Sequence, residues 1–287
     1  MAPSPGDSGA RPIPMALPPI QTEGDTARVQ GKLVNGLIVI PVSINGAGPF
    51  WLGMDTGAMG HLRLNNSVAE RLALPVTGKA RASDPSGKNP REVTVYRVDS
   101  LSIGGVRLRG PHAIGSADTL NRRLPGVDGI LGIDLFADRL LTLDYPRAEL
   151  RLSRDTLPDP NGADVIAYQR EHGPIQVSLQ AGERQLLCDL DTGNLVAPFV
   201  LSTDLALSLP RKGEPRSGGT ARTASQQMEI RFVTLAAPLR IGSFEFPGAE
   251  VAFPSLHERG NIGSKALGRF TVEIDQRNKR IRFARNP

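Results

Sequence analysis

The chain has one cysteine, 5% aromatic residues and no long apolar run. A single cysteine, Cys188, excludes an internal disulfide and any multi-cysteine metal site. Lying inside an apolar run, it reads as a small buried hydrophobe. No stretch approaches the ~18 apolar residues of a membrane-spanning helix, so no membrane span is expected. The four histidines, His61, His112, His172 and His257, lack metal-ligand spacing such as H-E-x-x-H and are expected at solvated or loop positions. Phosphate-binding loops, dinucleotide fingerprints and nucleophile elbows are also missing. No metal and no cofactor is therefore expected. The net charge of +5 is scattered, without aromatic interleaving, which argues against nucleic acid as a partner.

What is plentiful is glycine (31) and proline (24) in a chain of 287 residues. With 39% hydrophobic residues, that composition suits many short strands joined by turns. The opening MAPSPGDSGARPIPMALPPIQ has no basic start followed by an apolar core, so it is not a signal peptide as written. A removed signal followed by an added Met would give the same picture. Residues 1–27 are read as a Pro-rich disordered tail.

The main feature is a repeat. Asp55-Thr56-Gly57 in FWLGMDTGAMGHL recurs as Asp191-Thr192-Gly193 in LLCDLDTGNLVAPF, 136 positions later (191 − 55 = 136). The triplets Ile130-Leu131-Gly132 and Ala266-Leu267-Gly268 share that offset, as do the turn glycines Gly46 and Gly182. LSIGGVRLRG from Leu101 matches LRIGSFEFPG from Leu239. Each acid is followed by a short helix-like stretch ending in Leu-Pro. Ser67 and Glu70 have capping-box spacing in the first, and Ser202 holds the corresponding place in the second. Polar segments after each Leu-Pro read as long hairpins. Both halves close on an Asp (Asp144, Asp275), a turn and a strand. Residues 28–155 are expected as one lobe, 156–164 as a linker and 165–287 as a second lobe.

A carboxylate at the end of a buried strand must be held in one orientation. The following glycine permits a tight turn that aims backbone N–H groups at its oxygens. A threonine hydroxyl can bond across to the other lobe's backbone and lock the loops together. Two such loops on a pseudo-twofold axis would place Asp55 against Asp191. At about 3 Å and an effective dielectric near 20, repulsion between two carboxylates is on the order of 5 kcal/mol, so the pair keeps one proton. One acid could then take a proton from water while the other donates to an amide carbonyl.

These motifs together resemble the aspartic proteases of the pepsin/retropepsin clan, whose dyad is the standard example of such proton sharing. The resemblance runs from about Val34 to Phe283. It implies a mostly β, pepsin-like or retropepsin-like acid protease fold, with two pseudo-twofold-related lobes, short helices and flap hairpins. It implies catalytic Asp55 and Asp191 supported by Thr56, Gly57, Ala58, Thr192, Gly193 and Asn194, acting on an extended polypeptide. Ala58 and Asn194 stand where pepsins carry Ser or Thr. Ala58 and a hairpin in each half are similar to retropepsins, so the chain resembles two retropepsin lobes fused, a type found among bacterial proteins. Tyr96 is no secure counterpart of a flap tyrosine. The same resemblance implies a monomer and a periplasmic or secreted location, with the cytoplasm as the alternative. Two other readings use the same residues: an idle peptide-binding protein, and a hydrolase of non-peptide amides. Asp128, Asp144 and Asp275 are read as turn residues rather than further catalytic acids.

Overall fold

The computed structural model describes residues 20–82, 91–116, 124–171, 173–222, 227–254 and 259–285. Its architecture is mostly β, as expected, with three short α-helices among the described residues. Alternating apolar residues make Leu37–Ile44 and Ala47–Asp55 an antiparallel pair. They meet at Asn45-Gly46, both with positive φ (50° and 80°), a conformation tolerated best by Asn and Gly. In the second half Gln176–Ala181 pairs with Arg184–Asp191 in the same way.

The strand order then repeats. In the first sheet it runs Leu37–Ile44, Ala47–Asp55, Gly129–Gly132, Leu62–Asn65, His112–Ser116, Arg91–Arg97, Val76–Ala82. In the third sheet it runs Gln176–Ala181, Arg184–Asp191, Gly260–Gly263, Phe199–Val200, Glu250–Phe253, Gln227–Leu235, Arg211–Arg222. In both, the Gly-flanked strand runs parallel to the acid-bearing one, with Gly132 beside Asp55 and Gly263 beside Asp191. Each sheet ends in an antiparallel hairpin where one is expected. The hairpin tips, 83–90 and 223–226, lie outside the described residues.

This register corrects one pairing read from the sequence. Ala266-Leu267-Gly268 is not the counterpart of Ile130-Leu131-Gly132. It belongs to the helix Ser264–Leu267 and its end, and the strand beside Asp191 is Gly260-Asn261-Ile262-Gly263. The offset drops because the connection is shorter in the second half: Ser116 to Gly129 is 129 − 116 = 13 positions, Phe253 to Gly260 is 260 − 253 = 7.

A six-stranded sheet not foreseen from the sequence joins the halves. Its order is Val165–Ala167, Arg280–Arg285, Phe270–Asp275, Leu140–Asp144, Glu149–Ser153, Ala27–Gln30. At its centre Thr142 faces Glu273. These two are also repeat counterparts (273 − 142 = 131), at the same offset as the positive-φ turn residues Ala148 and Lys279 (279 − 148 = 131). A local twofold axis therefore passes between them. Asp144 and Asp275, both buried, accept the backbone N–H groups of Arg147 and Asn278, which is the turn role expected of them.

Other expectations shift. Of the tail 1–27, residues 1–19 lie outside the described residues, but Gln21–Glu23 is a strand pairing with Val106–Arg109, and Ala27 begins the strand in the joining sheet. Alternating burial of Ala27 and Val29 explains why these residues are held. Ser67 is not a helix cap: the cap position is Asn65, whose side chain donates instead to the Val127 carbonyl. Ser202 does cap its helix, accepting from the Leu205 N–H. His61 is buried rather than solvated, and its Nδ1 accepts the His112 backbone N–H. His172 and His257 lie outside the described residues. Cys188 is fully buried, and burial pushes its thiol up to about 12.

Candidate active site

Each acid ends a strand whose three preceding residues are buried, so strand burial carries the carboxyl group to the point where the halves meet. The chain turns sharply there. Gly57 N–H (2.8 Å) and Ala58 N–H (3.1 Å) donate to Asp55 Oδ1, and Gly193 N–H donates to Asp191 Oδ1 at 3.0 Å.

The threonines cross over. Thr56 N–H donates to Thr192 Oγ1 (2.9 Å), and Thr192 N–H donates to Thr56 Oγ1 (3.0 Å). Each hydroxyl in turn donates to a carbonyl of the other half: Thr56 to Leu190 (2.7 Å), Thr192 to Met54 (2.8 Å). Both threonines are buried, so these four bonds are shielded from water. Tyr145, also buried, lies near Thr192. Burial raises its hydroxyl well above the ordinary tyrosine range, and the Asp55 charge adds to this.

The crossing brings the two carboxyl groups close across the axis, each against the glycine of the opposite loop, near enough for the Asp191 charge to act on Asp55. A Cβ on Gly57 would stand 2.5 Å from Asp191 Oδ1, and one on Gly193 would overlap the Asp55 carboxyl group. The glycines are thus required by close approach across the axis as well as by the turn. Both acids keep partial solvent access. Asp55 is raised to about 7, first by its desolvated surroundings and then by the negative charge of Asp191; the Gly57 N–H and Arg63 oppose this more weakly. One retained proton at moderately acid pH follows.

All eight residues singled out in the sequence gather here. Asn194 does more than follow a glycine: its Oδ1 accepts Val196 N–H (3.0 Å), and its Nδ2 donates to Asn261 Oδ1 (2.6 Å). Asn261 Nδ2 donates to Asp191 Oδ2 at 3.0 Å. Sequence reading missed Asn261 because a polar residue interrupts the apolar pattern sought there. It also missed Tyr145 and a clasp formed by Asp134. Asp134 accepts Gly60 N–H (2.8 Å) and Arg170 Nη2 (2.6 Å), tying the first acid loop to a residue of the second half. Asp128 stands apart from the acids; its Oδ2 accepts Trp51 N–H at 2.8 Å. Tyr96 pairs with Ala113 in the sheet, with its ring against Gly115. Among the described residues no group of three or more His, Cys, Asp or Glu side chains could hold a metal ion, and no helix is long and apolar enough to cross a membrane.

Residues 40–135 match a family model described as Aspartyl protease. The matched stretch contains Asp55, the first hairpin and the strand ending at Gly132. It supports an aspartic-protease-type function and a peptide substrate. No curated protein matches the chain.

Proposed function

We propose that the chain is an aspartic endopeptidase in which Asp55 and Asp191 activate water for hydrolysis of a peptide bond in an extended polypeptide. The observation that carries this reading is the close approach of the two carboxyl groups across the local axis, with the threonine bonds holding it. A pair holding one proton can do both halves of the chemistry. The ionised acid takes a proton from water as the water oxygen attacks the carbonyl carbon. The protonated acid gives its proton to the carbonyl oxygen, forming a tetrahedral diol. On collapse the C–N bond breaks, the nitrogen takes the proton first removed from water, and a diol hydroxyl returns its proton to the other acid. The pair ends as it began.

Ala58 offers no side-chain donor to Asp55, and the surroundings keep that acid protonated to about 7. Activity is therefore expected to extend towards neutral pH. The two hairpins serve as flaps over the substrate, and the two halves act as the lobes of one monomeric enzyme. A periplasmic or secreted location accompanies this reading by family resemblance.

The test is cleavage of a peptide library across pH by the intact chain and by Asp55→Asn and Asp191→Asn. Hydrolysis lost in both variants is the expected result. Peptide binding without turnover in the unaltered protein would favour the idle-dyad reading instead.

A further inference from the structure

We propose that Asn261, anchored by Asn194, is a positioning residue that fixes Asp191 as the ionised base and leaves the proton on Asp55. This rests on the endopeptidase reading above and assigns the two roles within it.

The argument begins with a difference between the halves. Gly132 lies beside Asp55 and Gly263 beside Asp191, so Ile130 and Asn261 are counterparts. Ala58 and Asn194 are counterparts three residues after each acid. In the first half Ala58 packs against the buried cluster containing Ile130. In the second half the same two places hold a hydrogen-bonded pair of amides. An apolar pair beside one acid is replaced by a polar pair beside the other.

The direction of the amide chain is set at its far end. A backbone N–H can only donate, so Asn194 must turn its Oδ1 to Val196 and its Nδ2 to Asn261. Asn261 must then accept with Oδ1, which leaves Nδ2 aimed at Asp191 Oδ2. Asn261 is 8% exposed, so water competes little for that amide.

The consequence is unequal demand for charge. Both oxygens of Asp191 receive N–H donors, from Gly193 and from Asn261. On Asp55 both backbone donors converge on Oδ1. Among the described residues no N–H donates to Asp55 Oδ2, which faces Gly193 across the axis. Donors on both oxygens favour the carboxylate, whereas an oxygen without a donor is free to carry the proton. The water proton accordingly passes to Asp191, and the carbonyl oxygen takes its proton from Asp55. The other ionisable groups around the pair are Arg63, which acts on Asp55, and Tyr145, neutral and buried beneath both. Asp189 lies opposite Asn261 in the strand register, held by Gln176 and Arg259.

The experiment copies the first-half pair into the second half with the double variant Asn194→Ala/Asn261→Ile. Ala58 and Ile130 already show that this pair packs beside such an acid. Removing the donor weakens ionised Asp191 relative to the diprotonated pair, whereas the singly and doubly ionised pairs both lose the same bond. The acid limb of kcat/KM should therefore move up by about one to two pH units, while the alkaline limb stays in place. A purely structural role would lower the melting temperature or kcat at every pH without moving the acid limb. Superimposable acid limbs in the folded variant would overturn the assignment. Carboxyl 13C NMR of aspartate-labelled full chain provides a reading independent of turnover. If the unaltered protein cleaves no peptide, the endopeptidase reading falls. The Asn261 assignment is then decided by whether the first ionisation of the carboxyl pair moves up in the variant or stays where it was.

Discussion

Thr56 and Thr192 each accept the other's backbone N–H, at 2.9 and 3.0 Å, and each donates its hydroxyl to a carbonyl of the opposite half. The interaction is reciprocal and buried, so neither residue can be altered alone without stranding groups on the other. Thr56→Val or Thr192→Val leaves one N–H and one carbonyl unpaired. Each should cost roughly 2–4 kcal/mol, at about 1–3 kcal/mol per stranded group with partial relaxation. Thr→Ser should cost far less. The double valine variant strands four different groups, the N–H groups of residues 56 and 192 and the carbonyls of Met54 and Leu190, so its loss should approach the sum of the two single losses. Urea unfolding of these variants checks this, and a single valine variant as stable as the unaltered protein would contradict the reciprocal arrangement.

Gly57 and Gly193 approach the opposite carboxyl group so closely that no side chain fits. Gly57→Ala and Gly193→Ala are expected to push the acids apart. Peptide hydrolysis should fall by about a hundredfold or more, as small displacements of reacting groups do. The fold should survive, since the strands before each loop are held by sheet pairing. Circular dichroism alongside initial rates measures both, and an alanine variant with unaltered rates would exclude this geometry.

Asp55 also couples stability to pH. Its folded value, about 7, lies above the ordinary 3.8, so the folded chain binds a proton more tightly than the unfolded chain. The favourable contribution is complete below pH 3.8 and declines as pH rises from there through 7. Across that window ionisation of the buried carboxyl removes folding stability. Asp55→Asn should flatten the fall and be the more stable protein at pH 8. Denaturant midpoints at pH 4, 6 and 8 test the sign; a wild type that gains on the variant as pH rises from 4 to 8 would reverse it.

Arg170 and Asp134 join the halves beside the first acid loop, with both side chains mostly covered. Arg170→Ala leaves Asp134 with the Gly60 N–H but without its cation. A loss of about 1–3 kcal/mol is expected, since the stranded partner is partly buried. Asp134→Asn in the Arg170→Ala background should recover part of it. A double-mutant cycle by thermal unfolding reports the coupling.

Much of this arrangement was legible in the sequence. Asp-Thr-Gly is a compact local unit: the acid, the crossing hydroxyl and the turn occupy consecutive residues, so recurrence of the tripeptide announces both loops. The alternating strands around Ile38 and Val177 were equally plain. The strand beside Asp191 was not. A fixed offset of 136 ignores the shorter connection before Gly260, and the apolar triplet it selected lies in a helix. The joining sheet was hidden for a different reason. Its centre pairs Leu140–Asp144 with Phe270–Asp275, strands far apart along the chain whose own patterns show only that they are strands.

The sequence by itself therefore determined the duplicated acid units, the mostly β character and the eight residues at the meeting of the loops, because turn chemistry and strand alternation are written in neighbouring residues. Only the tertiary structure decided that the halves share a central sheet, that the threonine bonds are reciprocal and that Asn261 reaches one acid with no counterpart at the other. Those relations depend on register between distant strands, and register is fixed by packing of both halves together rather than by any local run of residues.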